Sequence, residues 1–338
     1  MITGGVQMKK SMKYVSALLI SILLIVVAGC GSEEKEKSGD STDFPQKPIT
    51  LISPTSAGGG TDAAARALAA DAEKYLGKSI GVVNKPGGSG SIGMTEGANA
   101  KPDGYTVTMV IAELTMLKHL GISPLSHEQV KPVALINLDP AALTVPADAS
   151  YNTLEEFIAY AKENPGKLQV GNAGSGSIWH IAAESLAKNA EIELNHIPFE
   201  GASPAVTALV GGHIDAVTVS PAEVKTQLDA GNLKTLAVMS DTRSPIIPDV
   251  PTFAEAGLDL GTISTWRGLT VPKDTPDEIV AILEDAFMKA AEEDNFKKFM
   301  DSNGLGIQLK GSKEFQQHLE ENDKYFGEMI SELGLNGK

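Results

Sequence analysis

The sequence predicts an α/β fold arranged as two lobes. Three observations carry this. Strand-like and helix-like segments alternate along the chain, the pattern of sheets with packed helices and largely parallel strands. The order strand, Gly-rich loop, helix, strand, Pro-containing turn occurs twice. About 295 residues remain once the N-terminal stretch before Phe44 is set aside, long for one core and comfortable for two.

The N-terminal stretch comes first. Lys9, Lys10 and Lys13 precede an uncharged run from Val15 to Gly29. That run is short for a spanning helix of ~20 residues and suits the apolar core of a signal peptide. Met8-Lys9-Lys10 is a more ordinary start for it than Met1. Val27-Ala28-Gly29-Cys30 then places small residues before the chain's one cysteine, as in the cleavage box of bacterial lipoproteins. The reading is a lipoprotein signal peptide over 1–29 and lipidation of Cys30; the alternative is an ordinary cysteine at the end of a signal core. One cysteine excludes an internal disulfide and a Cys-based zinc site. Residues 30–43 read as the lipidated Cys and a flexible tether, because Gly31 to Asp43 is polar and charged with nothing to pack.

Charge narrows the partners. The formal net charge is −15, and loss of residues 1–29 removes three lysines and no acid, giving about −18. Such a surface argues against nucleic acid or anionic lipid as a partner. An anionic ligand would need local attraction against that field.

The folded sequence begins near Phe44. Ile49 to Ile52 reads as a strand ending at Pro54, Ala63 to Tyr75 as an Ala- and Leu-rich helix, and Ile80 to Val83 as a strand. Tyr105 to Ile111 is another strand, entered by the Pro102-Asp103-Gly104 turn. Val133 to Leu138 and Ala142 to Val145 follow, then a helix over Leu154 to Glu163 closed by Pro165-Gly166. The second half restarts with Leu168 to Val170, the Asn172 to Ser177 loop, a helix carrying Ala182 and Leu186, and a strand ending near Pro198. Ser203-Pro204, Ser220-Pro221-Ala222-Glu223 and Thr275-Pro276-Asp277-Glu278 read as helix starts, the last two as capping boxes with Pro at the first helical position. Helix-rich sequence runs from Pro276 to Leu333.

Three loops invite chemistry. Gly58-Gly59-Gly60-Thr61-Asp62 lacks the Lys a P-loop needs, so nucleotide hydrolysis is excluded. It is either a tight turn into a helix or an oxyanion site built from backbone N–H groups and a helix start, with Asp62 as helix cap. Gly88-Ser89-Gly90-Ser91-Ile92-Gly93 matches G-x-G-x-x-G but follows the second strand, and no suitable ribose-binding acid follows it. Asn172 to Ser177 with His180 offers hydrogen bonds to a carboxylate, or only a Ser177 cap and a packed histidine. No G-x-S-x-G elbow or H-E-x-x-H pair is present, and the six histidines are scattered, so no catalytic or metal-binding set is expected.

In order and spacing, these segments resemble the solute-binding proteins of tripartite tricarboxylate transporters, the Bug family. The resemblance runs from about Phe44 to Leu335. It rests on Phe44 to Ile52 leading into Ala57-Gly58-Gly59-Gly60-Thr61-Asp62, then Asn84-Lys85-Pro86-Gly87-Gly88 and Lys101-Pro102-Asp103-Gly104-Tyr105. Asn195 to Gly201, Gly211-Gly212-His213-Ile214-Asp215, Gly231 to Val238, Pro248 to Thr252 and Trp266-Arg267-Gly268-Leu269 complete it.

The resemblance implies a type II periplasmic-binding-protein fold, two α/β lobes with a ligand cleft between them. Lobe 1 would comprise 44–141 plus 271–338, and lobe 2 would be 142–270, with crossovers near Ala141–Ala147 and Ile263–Val271. It implies a non-enzyme without cofactor, a monomer that captures a small tri- or dicarboxylate such as citrate. It would be extracytoplasmic, lipid-anchored, and would serve a large and a small membrane subunit of the transporter. The alternatives are a ligand sensor for a membrane signalling partner and an enzyme acting on carboxylates. Backbone amides and water would hold the carboxylate, often without an arginine clamp. Carried over by position, the contacts are Gly58, Gly59, Gly60 and Thr61 in lobe 1, and Ser175, Ser177, Pro198 and Ser220 in lobe 2, where Ser220 also fits an N-cap. Phe199-Glu200 and Thr218-Val219 depart from the family pattern, Trp266 is placed at the cleft wall or the hinge, and Glu113 is a candidate selector of a ligand amine.

Overall fold

Residues 43–337 are described by the computed structural model; the expected signal peptide and Cys30 lie outside the described residues. The strands divide between two sheets. In the first half, β1 (Ile49–Ser53), β2 (Ile80–Asn84), β3 (Thr106–Ile111) and β4 (Val130–Pro140) belong to one sheet, with α1 (Gly60–Leu76) and α2 (Ser91–Ala98) between them. β5 (Ala142–Pro146), β6 (Gln169–Asn172), β7 (Asn195–Pro198), β8 (Ala216–Val217) and β9 (Leu233–Val238) form the other. Between them run α3 (Leu154–Glu163), α4 (Ile178–Ala190), α5 (Ala202–Val210) and α6 (Pro221–Asp229). The chain then returns to the first sheet with β10 (Ser264–Pro272), α7 (Asp277–Ala291), α8 (Asp294–Ser302), β11 (Lys310–Gly311) and α9 (Ser312–Glu332). The sheet orders are β11-β4-β10-β3-β1-β2 and β7-β6-β8-β5-β9. No helix among the described residues is long and apolar enough to cross a membrane.

Local chemistry explains the elements. In α1, Ala64, Ala65, Leu68, Ala69, Ala72 and Leu76 recur at helical spacing and are all buried. Gly77 ends it in the left-handed region at φ 65°, which a residue without Cβ adopts cheaply, and its N–H returns to Glu73 O at 2.8 Å. α3 starts where Thr153 Oγ1 accepts from Glu156 N–H, and it occupies the predicted range. The core lies on both faces of the first sheet. One cluster joins β1, α1, α7 and α8 through Leu51, Leu68, Phe287 and Phe296. The other runs from α9 (Phe315, Leu319, Phe326) into the second sheet.

Four expectations need correction. The sheets are mixed: β1 pairs in parallel with β2 and β3, and β6 with β7 and β8, but β10 runs antiparallel to β3 and β4 because it enters from the other lobe. The crossover expected over Ile263–Val271 is mostly that strand, which pairs with β4 from Ser264 onward. The crossing itself lies at Ala141, Met239 and Ile263, whose backbones bond one another at 2.8–3.1 Å. Ser203-Pro204 does not start a helix, since Gly201 is the N-cap of α5. The two capping boxes are not formed either. Ser220 is an N-cap by position but its Oγ bonds nothing, and Pro276, not Thr275, is the N-cap of α7.

Candidate functional site

Strands β1, β2 and β3 of the first sheet and β6 and β7 of the second end at one cavity of about 490 Å³ between the sheets. This is where the carboxyl edges of α/β sheets deliver loops and helix starts to a ligand. The first sheet contributes Ser56, Gly59, Gly60 and Thr61 after β1, Gly87 to Gly90 after β2, Glu113 after β3, and Arg267 from β10. The second contributes Ala173 to Gly176 after β6, Pro198 to Ser203 after β7, His180 from α4 and Glu223 from α6. Two bonds between side chain and backbone span the cavity rim, Ser89 Oγ to Ser175 O at 2.7 Å and Ser56 Oγ to Glu200 O.

Arg267, 1% exposed, organises the floor. Its Nε donates to Thr61 Oγ1 at 2.9 Å, and its Nη1 donates to Asn137 and Asp139. Its Nη2 lies 3.6 Å from Glu223 Oε1, across from the other lobe. A Cβ at Gly60 would sit 2.9 Å from the same Nη2, so the glycine makes room for the guanidinium. Burial pushes Glu223 up to about 7, although Arg267 and the Gly60 N–H favour its charged form. Glu223 Oε2 is buried without a hydrogen-bond partner.

Glu113 stands at the other end. It sits in the short 3-10 turn after β3 and is 3% exposed. Its Oε1 accepts from the N–H of Ile178, the first residue of α4, at 2.8 Å, so a lobe-1 carboxyl meets a lobe-2 helix start. Its Oε2 is buried and accepts no hydrogen bond from another residue. Burial pushes this carboxyl up to about 7 against the hydrogen bonds and the more distant Arg267.

On α4, His180 Nε2 lies 3.4 Å from Glu184 Oε1, as does His196 Nε2, and the two rings meet edge to face at 4.8 Å. The spacing of the three side chains permits a metal ion. The hydrogen bonding opposes one: Gly176 N–H donates to His180 Nδ1 at 3.1 Å, so the neutral ring carries its proton on Nε2, directed at Glu184. The cluster instead holds the Gly176 loop against α4. Burial, then His180, lowers the pKa of His196. The His180-to-Glu184 spacing of four was visible in the sequence as one helix face; the approach of His196 from β7 was not.

Of the residues nominated from sequence, Gly59, Gly60, Thr61, Ser175 and Pro198 line the cavity, and so does Glu113. Gly58, Ser177 and Ser220 are not among the residues lining it. The Gly58 N–H is taken by Asp62 Oδ2 at 3.0 Å. Asp62 is thus no N-cap but folds back from the first turn, where it also meets Arg66 and Asn84 at 2.9 Å. Burial alone would raise its pKa, but the hydrogen bonds from Arg66, Gly58 and Asn84 outweigh that and hold it below its usual value. Ser177 is buried and its Oγ caps α4 by accepting from His180 N–H at 3.3 Å. Ser220 is fully buried. Trp266 is no cleft wall; it packs edge-on against Phe315 and His318, with Nε1 donating to Asn322. Of the G-x-G-x-x-G glycines, Gly88 and Gly90 line the cavity and Gly93 serves packing: a Cβ there would lie 2.8 Å from Lys85 O and 2.9 Å from Pro54 Cα. Arg267, Glu223 and Asp139 were missed, since the partners of Arg267 lie far from it in the chain.

Residues 64–335 match the family described as tripartite tricarboxylate transporter family receptor. The UPF0065 protein in the gbd 5' region of Cupriavidus necator is 35% identical over 91% of this chain and 94% of its own length. A TctC solute-binding protein from Polaromonas is 43% identical with a TM-score of 0.66, over 86% of this chain and 99% of its own. MatC from Rhodopseudomonas palustris, solved with bound malate, is 28% identical with a TM-score of 0.80, over 85% of this chain and 100% of its own.

Proposed function

This chain belongs to the tripartite tricarboxylate transporter receptor family, and from that premise we propose that it captures a small di- or tricarboxylate and presents it to the large and small membrane subunits of such a transporter. It is an extracytoplasmic solute-binding protein of the periplasmic-binding-protein fold and not an enzyme. Lipidation of Cys30 would tether it as a monomer to the membrane, with residues 30–43 as the leash.

The observation that carries the reading is the cavity of about 490 Å³ enclosed by loops from both sheets, of a size suited to one small molecule. Gly58 N–H is engaged by Asp62, and Gly60 N–H lies against Glu223. These engaged groups favour a ligand carboxylate bound among Gly59, Thr61, Ser175 and the start of α5 at Ala202 and Ser203, all of which line the cavity. A helix start favours an anion there without a free cation, which lets an acidic protein hold an acid. The malate bound by MatC is of this chemical class. Closure of the lobes about the Ala141, Met239 and Ile263 crossing is the working motion.

The test is a thermal-shift screen of the purified chain, stripped of bound solute, against di-, tri- and monocarboxylates. A ligand at a hundred times its dissociation constant should stabilise by ~2.7 kcal/mol. One responding carboxylate, weakened by Gly59→Val or Thr61→Val, is expected. A response only to nucleotides or cations would sink the proposal.

A further inference from the structure

We infer that Glu113 forms an ammonium-binding subsite in the cleft, so that the preferred ligand is an amino-substituted carboxylate rather than a plain one. This rests on the carboxylate reading above and names the substrate class within it.

The geometry carries the inference. Glu113 lines the cavity while being almost wholly buried, and its two oxygens differ. Oε1 is fixed by the Ile178 N–H at 2.8 Å, which sets the orientation of the whole carboxyl group. Oε2 is buried and takes no hydrogen bond from another residue. An ionised oxygen left so is costly unless a donor arrives, and a cationic donor repays it most.

No side chain supplies that cation. The one arginine of the cavity wall, Arg267, is already met by Asp139 and stands 3.6 Å from Glu223. Acidic groups on the wall, Glu113, Glu200 and Glu223, outnumber it. A ligand bearing only carboxylates adds to that excess, whereas an ammonium offsets it. The cavity wall includes the apolar Ile111, Leu120, Ile122, Ile178 and Trp179, of which Ile178 meets Glu113 directly, and against them Glu113 offers an ammonium a strong acceptor. Glu223 is the poorer candidate, because Arg267 already faces it.

The experiment is calorimetric titration of the full chain, purified in detergent and stripped of solute, with matched acids differing by one amino group. The pairs are malonate and aminomalonate, succinate and aspartate, glutarate and glutamate, and adipate and 2-aminoadipate. In the parent protein the amino member of the binding pair should bind tighter by ~10-fold or more, as a charged hydrogen bond in a desolvated site supplies. Glu113→Gln keeps an acceptor for Ile178 N–H and should reduce that ratio to within ~3-fold. Equal or tighter binding of the unaminated acid in the parent overturns the inference and leaves the carboxylate reading standing. A preference that Glu113→Gln leaves intact also overturns it. Binding by no member of any pair also overturns the inference, while the carboxylate reading then stands or falls on the thermal-shift screen above. The parent comparison needs no variant, so a misfolded Glu113→Gln would not spare the inference.

Discussion

The starts of α1 and α4 are the same device built twice, and they differ in what neutralises them. Each helix begins after a Gly-rich loop at a sheet's carboxyl edge and meets a carboxyl from the opposite lobe: Glu223 at α1, Glu113 at α4. At α1, Gly59 is the N-cap with no side-chain bond, and Arg267 faces the incoming Glu223. At α4, Ser177 caps the helix, and Ile178 N–H meets Glu113 with no cation in hydrogen-bond reach. One end of the cleft thus has a buried cation, Arg267, beside its incoming carboxyl, whereas the other presents a carboxyl with none.

The sharpest way to break the comparison is to remove that cation. Arg267→Leu would leave Asp139 and Glu223 buried together without their cation. Unfolding in urea should show a loss of ~3–5 kcal/mol. A loss below ~1 kcal/mol would mean that the α1 end is not held by this arginine.

The second test is pH. Burial raises both Glu113 and Glu223 from the ordinary 4.5 to about 7 in the folded protein. The folded state then binds protons more tightly than the unfolded state, so stability should fall as pH rises from about 4.5 through 7. Each group accounts for up to ~3 kcal/mol above that window. Denaturation curves across pH 4 to 9 would show the slope. Glu113→Gln should flatten its share without loss of an ion pair, while Glu223→Gln should flatten its share and also weaken the protein at Arg267. A stability that instead rises over this window would contradict the burial argument.

The smallest effects separate two serines. Ser177→Ala removes a side-chain cap and should cost ~1 kcal/mol in a thermal melt. Ser220→Ala removes a buried hydroxyl that bonds nothing, so its cost should be near zero. Equal losses would mean that Ser220 caps α6 after all.

The sequence foretold the parts whose signals are local. The α3 range was legible because the helix-like run and the Pro165-Gly166 that closes it are adjacent in the chain. The two Gly-rich loops were legible as cleft walls for the same reason, and Gly59, Gly60, Thr61 and Ser175 do line the cavity. The misreadings are tertiary. Ser220 and Glu223 have the spacing of a capping box, yet Glu223 turns toward Arg267 on β10 and the box does not form. The resemblance implies a crossover where β10 runs, and the residues of β10, buried on both sides of the first sheet, carry no alternation that would mark a strand. Arg267 meets Thr61 across 206 residues and Asp139 across 128, distances over which no pattern in the chain gives warning.

The central claim, a small carboxylate held between the lobes, is tested most directly through Trp179. The chain has two tryptophans; Trp179 lines the cavity, whereas Trp266 packs against α9 away from it. Fluorescence titration of the parent and of Trp179→Phe with a panel of carboxylates isolates the cavity signal as their difference. The account predicts a saturable, one-to-one change with a carboxylate that Trp179→Phe loses and Thr61→Val weakens. Ligand binding seen by calorimetry with no change at Trp179 would place the ligand outside the cleft and contradict the account.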